Sequence, residues 1–208
     1  MTGRAQRRRV AISQRVEFLK DRNERRDSLD QRWSPLLANC GLLPVAVPND
    51  LAAVDALLAE FDPAGVILSG GGDLSSQGAD AADRDAVERR LVDWARRAQR
   101  PILAVCRGMQ HLLTISGGEL VAVTGHVGKP HPVQFIDGAR REVNSFHNWG
   151  FRALPAEFEI LGTAPDDTIE AARHRREPIL CVMWHPERMS PLAPEDQELL
   201  QQLFGTRP

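Results

Sequence analysis

The chain has 208 residues, 42% of them hydrophobic, and a formal net charge of −2 at pH 7. That length and apolar share suffice for one α/β domain with a sizeable core, and the near-neutral balance excludes a bulk electrostatic pull toward nucleic acid or a membrane surface. Three separated cysteines, Cys40, Cys106 and Cys181, argue against a disulfide framework and for a reducing, cytoplasmic setting.

Residues 1–8 carry Arg4, Arg7 and Arg8 and are expected to be a flexible basic end of a single domain spanning 1–208. They lack the apolar centre of a secretory signal, and no apolar run along the chain reaches membrane-spanning length. Residues 9–13 predict a first strand, with Gln14 and Arg15 at its C-terminal end, where open α/β sheets place ligand groups. The charged run 22–31 leads into Leu29, Trp33, Leu36 and Leu37 at helical spacing, and the stretch reads as a solvated helix face. The alternative is that Arg15, Arg26 and Asp30 border a site. A strand over 43–47 precedes an amphipathic helix over 51–61 with Asn49 or Asp50 as its cap. Residues 64–69 read as a buried strand running into Gly70, Gly71, Gly72 and Asp73, where glycines let backbone N–H groups point at a ligand. A polar loop follows over 75–83, then a helix over 85–98.

The apolar run 101–105, Cys106, Arg107, Gly108 and a helix through residue 115 together predict a strand, a sharp turn and a helix, the arrangement of a nucleophile elbow. The helix N-terminus behind such a thiol favours its anion. Residues 119–123 suggest an edge strand, and 124–132 a surface loop near the site. A strand starting at 141 runs into a cluster, 144–149, too polar for core. Residues 158–163 and 168–172 read as antiparallel strands, 178–183 as a buried strand ending at His185, Pro186 and Glu187, and 194–204 as a closing amphipathic helix. Strands alternate with helices first and turn antiparallel later, which predicts an α/β fold: a mainly parallel sheet flanked by helices, with a small antiparallel extension.

Cys106 and His185 both stand just past buried strands, and neighbouring parallel strands would deliver them to one sheet edge. Glu187, two residues beyond His185 in an extended chain, is placed to hold the imidazole tautomer, which makes a Cys–His–Glu triad the expected catalytic set. An oxyanion hole would use the N–H of Arg107 and a glycine N–H from Gly71 or its neighbour Gly72. The Arg107 charge is a second possible contribution. Gln110, one helical turn after Cys106, faces the same mouth. Absence of CxxC and HExxH patterns argues against a zinc site, and no P-loop or GxGxxG run is present.

The motifs SGGGD (69–73), CRGMQ (106–110), NSFH (144–147) and WHPE (184–187) resemble the class I glutamine amidotransferase-like fold, flavodoxin-like in layout, over nearly the whole chain. Within it they are similar to the free-standing γ-glutamyl hydrolases. The stretches ERRDSLDQRW (24–33), GVILSGGGDLS (65–75), EVNSFHNWG (142–150), DTIEAARH (167–174) and MWHPER (183–188) resemble the γ-glutamyl-CDP-amidate hydrolases of phosphoramidate biosynthesis for bacterial surface polysaccharides.

The resemblance implies Cys106 as nucleophile, His185 as base and then acid, Glu187 as its orienting carboxylate, and Gly71 with Arg107 as oxyanion donors. It implies that Gln110 and Asn144, Ser145, Phe146 and His147 hold a glutamyl head. No metal and no cofactor is implied. The partner is a small γ-glutamyl substrate linked to a nucleotide, with no nucleic acid and no membrane, and with a homodimer left open. Charge alone nominates Arg15, Arg26, Lys129 and His131 for a diphosphate. The rival readings are a γ-glutamyl-γ-aminobutyrate-type hydrolase, a glutaminase subunit of a two-component amidotransferase, and a binding module without chemistry. The last would have lost Cys106, His185 or Glu187, all of which are present.

Overall fold

The computed structural model describes residues 7–206. The expected flexible end falls mainly on residues 1–6, outside the described residues. Arg8 is not loose: it opens the first strand, and its Nη1 donates to the Phe204 carbonyl at 2.9 Å.

In chain order the elements are β1 (Arg8–Ser13), β2 (Arg15–Leu19), β3 (Glu24–Ser28), α1 (Trp33–Asn39), β4 (Leu42–Val47), α2 (Leu51–Phe61), β5 (Val66–Leu68), α3 (Ala82–Arg97), β6 (Ile102–Val105) and α4 (Arg107–Ile115). Then come β7 (Val121–Ala122), β8 (His131–Phe135), β9 (Arg140–Val143), β10 (Trp149–Gly150), β11 (Phe158–Thr163), β12 (Ile169–His174), β13 (Ile179–Val182) and α5 (Pro194–Leu203). Nine strands form one sheet in the order β4-β1-β5-β6-β13-β12-β11-β8-β9. The first five are parallel, and the remaining four continue antiparallel from β13.

The central strands are apolar on both faces because both faces are covered. On β6, Ile102 and Ala104 pack with Val54, Leu91 and Met109 of α2, α3 and α4. Leu103 and Val105 pack on the other face with Leu36 of α1 and Leu200 of α5. This is the two-sided burial that gives parallel strands an unbroken apolar run. The register sets the site. Val105 on β6 pairs with Val182 on β13, and Ala104 pairs with Leu68 on β5. The residues that follow β5, β6 and β13 therefore leave the sheet side by side at one edge.

Two expectations are corrected. The charged run 22–31 is not a helix face: β2 and β3 form an antiparallel hairpin of their own, turning at Asn23 with φ of 48°. Its outer strand is tied down by polar contacts to distant residues, Arg25 to Asp83 and Asp27 to Asn49 at 2.7 Å. The helix begins only at Trp33, with Pro35 in its first turn, where no intrahelical N–H is lost. The strand expected over 119–123 shrinks to β7, which pairs with β10 in a separate two-stranded ribbon rather than edging the main sheet.

Candidate active site

Cys106 sits between β6 and α4 with φ of 49° and ψ of −106°. A non-glycine residue pays a steric penalty there and holds it only when its surroundings over-determine it. Here they do. Its N–H donates to the Val182 carbonyl at 2.8 Å, and its own carbonyl accepts from the Gln110 N–H at 3.0 Å, starting the helix. Gly108 lets α4 close onto β5, since a Cβ at that position would stand 2.3 Å from the Leu68 carbonyl oxygen. The thiol is thus lifted out of the sheet edge, buried but opening into a cleft.

His185 lies across that cleft. Its Nδ1 donates to Glu187 Oε1 at 2.7 Å, which leaves the Nε2 end of the ring for the thiol. Both residues are buried. Burial opposes a charge on His185, yet the Cys106 thiol and the Glu187 carboxylate beside it hold its pKa up, at about 9. Asn144 fixes the backbone of this residue from both sides. Its Nδ2 donates to the His185 carbonyl at 2.7 Å, and its Oδ1 accepts from the His185 N–H at 2.9 Å. The Phe146 ring meets the imidazole edge-on, centroids 5.7 Å apart, and Arg188 lies over Phe146 at 5.1 Å.

Two sets of N–H groups border the thiol. Arg107 is the first residue of α4, so its N–H has no intrahelical acceptor, and no side chain caps the helix. Gly71 and Gly72 have φ of 89° and 76°, the left-handed region that glycine enters at little cost. Their loop is held from beneath by a residue that sequence patterning did not single out. Buried Arg84 donates to the carbonyls of Ser69 at 2.7 Å and Gly71 at 2.6 Å, and its Nε to Glu88 at 2.9 Å. With carbonyls drawn down to Arg84, the loop's other backbone face is left to the cleft. Gly70 in the same loop lies so close to His185 that a Cβ would stand 2.4 Å from the ring's Cε1.

The Arg107 side chain does not act on the cleft by charge. It turns beneath the turn and pairs with Glu88 and Asp85, fully buried. Burial works against the charge on Glu88, but Arg107 and Arg84 outweigh it and hold its pKa down at about 2.

The cleft has a volume of about 210 Å³ and is walled by Cys106, His185, Gly71, Gly72, Gln110 and His147, with Arg15, Asp73, Phe146, Asn148 and Arg188 also lining it. Gln110 Nε2 and His147 Nδ1 both donate to the Trp149 carbonyl, each at 3.0 Å. Asn144 and Ser145 are not in this wall: Asn144 holds His185, and Ser145 Oγ donates to the His126 carbonyl at 2.6 Å. Of the cations nominated by charge, only Arg15 reaches the cleft. Arg26 pairs with Glu24 on the exposed hairpin, Lys129 is exposed and outside the lining, and His131 turns to Glu170 at 3.3 Å. Arg188, which the charge argument passed over, borders the cleft and lies 3.4 Å from Asp30. Its signal was available, since it directly follows Glu187.

Comparison with known proteins agrees with this architecture. Residues 26–205 match the family model described as glutamine amidotransferase class-I. The chain is 32% identical to a γ-glutamyl-CDP-amidate hydrolase of Campylobacter jejuni, over 94% of this chain and 97% of that protein. It is 26% identical to a γ-glutamyl-γ-aminobutyrate hydrolase of Escherichia coli O157:H7, over 77% and 78%. A solved structure of a GMP synthase subunit from Thermoplasma acidophilum shares the fold with a TM-score of 0.74, at 18% identity, covering 95% of this chain and 92% of that one.

Proposed function

The chain belongs to the glutamine amidotransferase class-I family, and from that premise we propose that it is a thiol-dependent hydrolase that cleaves the γ-glutamyl amide of a CDP-linked glutamine phosphoramidate. Its products would be glutamate and cytidine diphosphoramidate, an intermediate for surface-polysaccharide modification. γ-Glutamyl amide hydrolysis is common to the two hydrolase relatives, and the nucleotide leaving group rests on the Campylobacter jejuni protein. The observation that carries the chemistry is the strained Cys106 at the head of α4, facing an imidazole whose far nitrogen is held by a buried carboxylate.

Cys106 Sγ attacks the γ-carbonyl carbon as a thiolate, with His185 holding the proton. The tetrahedral oxyanion lies against the Arg107 N–H and a glycine N–H of the 70–72 loop, each such donor contributing about 3–4 kcal/mol to the barrier reduction. The C–N bond breaks as His185 gives its proton to the leaving nitrogen, leaving a glutamyl thioester. His185 then takes a proton from water as its oxygen attacks the thioester, and thiolate and glutamate separate. Glu187 holds the imidazole and stabilises its charged form.

The cleft, smaller than the ~300–1,000 Å³ usual for whole ligands, suits a glutamyl head and leaves the nucleotide outside it. Arg15 and Arg188 at its border are the cations such a diphosphate would meet. No helix among the described residues is long and apolar enough to cross a membrane. The three cysteines are free thiols, and on that ground we assign the activity to the reducing cytoplasm.

The test is glutamate release by the purified protein from the CDP-linked conjugate, γ-glutamyl-γ-aminobutyrate and free glutamine, with Cys106→Ala as blank. Preference for the CDP conjugate is expected. Preference for the γ-aminobutyrate conjugate keeps the mechanism and discards the nucleotide, and activity retained by Cys106→Ala refutes the thiol mechanism.

A further inference from the structure

Behind the wall of the cleft, four side chains from separate segments converge. His126 comes from the loop after β7, His131 from the start of β8, His147 from the NSFH segment and Glu170 from β12. Glu170 is 0% exposed, His147 3% and His126 5%, while the His131 side chain is 14% exposed. Around Glu170 Oε1 stand His126 Nδ1 at 3.4 Å, His131 Nε2 at 3.3 Å and His147 Nε2 at 3.4 Å. None of these contacts is a hydrogen bond, and all three nitrogens and both Glu170 oxygens are buried without one. Orphaned buried polar atoms are rare and costly, and five converging on one point need a cause.

The outer nitrogens supply it. His147 Nδ1 faces the Trp149 carbonyl at 3.0 Å, an acceptor, so it carries the proton. His126 Nε2 faces Asp166 Oδ2 at 3.3 Å and carries its proton for the same reason. In the neutral rings, Nε2 of His147 and Nδ1 of His126 then aim lone pairs at a carboxylate oxygen, acceptor against acceptor. Protonating them instead crowds cations together, with the His126 centroid 4.7 Å from His147 and 4.6 Å from His131. A single dication at the centre satisfies every inner atom. The spacing fits one: at metal–ligand lengths of about 2.0–2.1 Å, tetrahedral ligand atoms lie ~3.3–3.4 Å apart. The ligand atoms of His126, His147 and Glu170 all fall within 4.8 Å of one another. Outer contacts of the Trp149 carbonyl and Asp166 type are those that orient metal-bound histidines.

We propose that His126, His131, His147 and Glu170 form a three-histidine, one-carboxylate site for a first-row divalent cation, zinc by its tetrahedral spacing. The site is structural, since all four positions are taken by protein. It fastens the loop around His126 to the segment that carries Phe146 and His147, which also meet through the His147 N–H to the His126 carbonyl at 3.1 Å. A cation there holds one wall of the cleft without touching the reacting atoms. The sequence shows no metal motif because the ligands are spread over four segments with no fixed spacing.

The experiment uses tag-free full-length protein carrying Cys106→Ala, so that the catalytic thiol cannot serve as a ligand, stripped with a chelator and titrated with cobalt(II). One equivalent is expected to give the visible absorption of tetrahedral cobalt, zinc is expected to displace it, and elemental analysis should find about one zinc per chain. Adding His126→Asn or Glu170→Gln should weaken binding at least ~10-fold, as should Asp166→Asn through the outer contact. If Glu170→Gln does not fold, His131→Asn at the more exposed position gives the same reading. No tetrahedral absorption, or binding unchanged in all of these variants, overturns the site. The readout is binding, so it stands apart from the substrate assay.

Discussion

Arg84→Lys separates the role of the glycine loop from that of charge. Arg84 is fully buried and reaches two loop carbonyls at 2.6 and 2.7 Å while its Nε pairs with Glu88. Lysine keeps the charge, so Glu88 still has a buried cation nearby as well as Arg107 and the Ser13 hydroxyl at 2.8 Å. A point ammonium cannot reproduce the guanidinium fork across both carbonyls and the carboxylate. Losing one or two charge-assisted bonds at about 1.5–3 kcal/mol each gives a destabilisation of roughly 2–4 kcal/mol. For a chain of this size that is a fall in Tm of about 5–15 °C. Should the loop also release its N–H from the oxyanion position, kcat falls by roughly 10²-fold while KM stays within a few-fold, because the donor acts only in the transition state. Glutamate-release kinetics, run well below the variant's Tm by circular dichroism, measure both. A lowered Tm with kcat near the parent value would refute the idea that Arg84 shapes the oxyanion site.

Glu187→Gln should move the alkaline limb of kcat/KM. The His185 pKa is raised to about 9, so the protonated imidazole persists to that pH, and removing the carboxylate should bring the limb down by about 1–3 pH units. A limb left unmoved would mean that Glu187 does not sustain the imidazolium. Glu88→Gln should destabilise the protein by about 3–5 kcal/mol at pH 7, since it leaves Arg84 and Arg107 buried against a neutral amide. The native Glu88 pKa is depressed to about 2, so its contribution is present above the unfolded value near 4.3 and is lost as pH falls toward 2. Denaturant titrations should therefore show parent and variant converging in acid. Asn144→Ala removes both bonds to the His185 backbone and should lower kcat by about 10–100-fold with little change in KM, read from steady-state glutamate release.

The elbow was legible because it rests on local rules: an apolar run, a turn and a helix, with Gly108 where only a glycine fits. His185 and Glu187 were legible for a related reason, since a buried strand points its successor out of the sheet and the next-but-one residue of an extended chain returns to the same side. The β2–β3 hairpin was not. Its charges mimic a solvated helix, and its cross-strand partners, such as Glu17 opposite Arg26, become visible only once the turn at Asn23 is placed. Arg84 and Asn144 were missed as supports because each acts on the backbone of a residue far along the chain, which no spacing rule reports. Charge nominated Arg26 as readily as Arg15, although only one of them faces the cleft, because charge carries no direction.

The strain at Cys106 and the shape of the glycine loop have a common anchor. Glu88, on α3, is bound by Arg107, whose backbone is the first turn after the nucleophile, and by Arg84, whose other donors hold the loop that faces it. Ser13, at the end of β1, completes the set through its hydroxyl, which also accepts from the Ser69 N–H at 2.9 Å. Three strand ends are thereby referred to one buried carboxylate rather than to each other. A catalytic geometry that tolerates only fractions of an ångström needs such a reference, since backbone loops alone drift. The cost is a charge cluster buried under the reacting groups, and an apolar replacement of the same volume would be easier to stabilise. An apolar core has no directional contacts with which to set two N–H groups against one oxyanion. The arrangement is therefore best understood as stability given up for position.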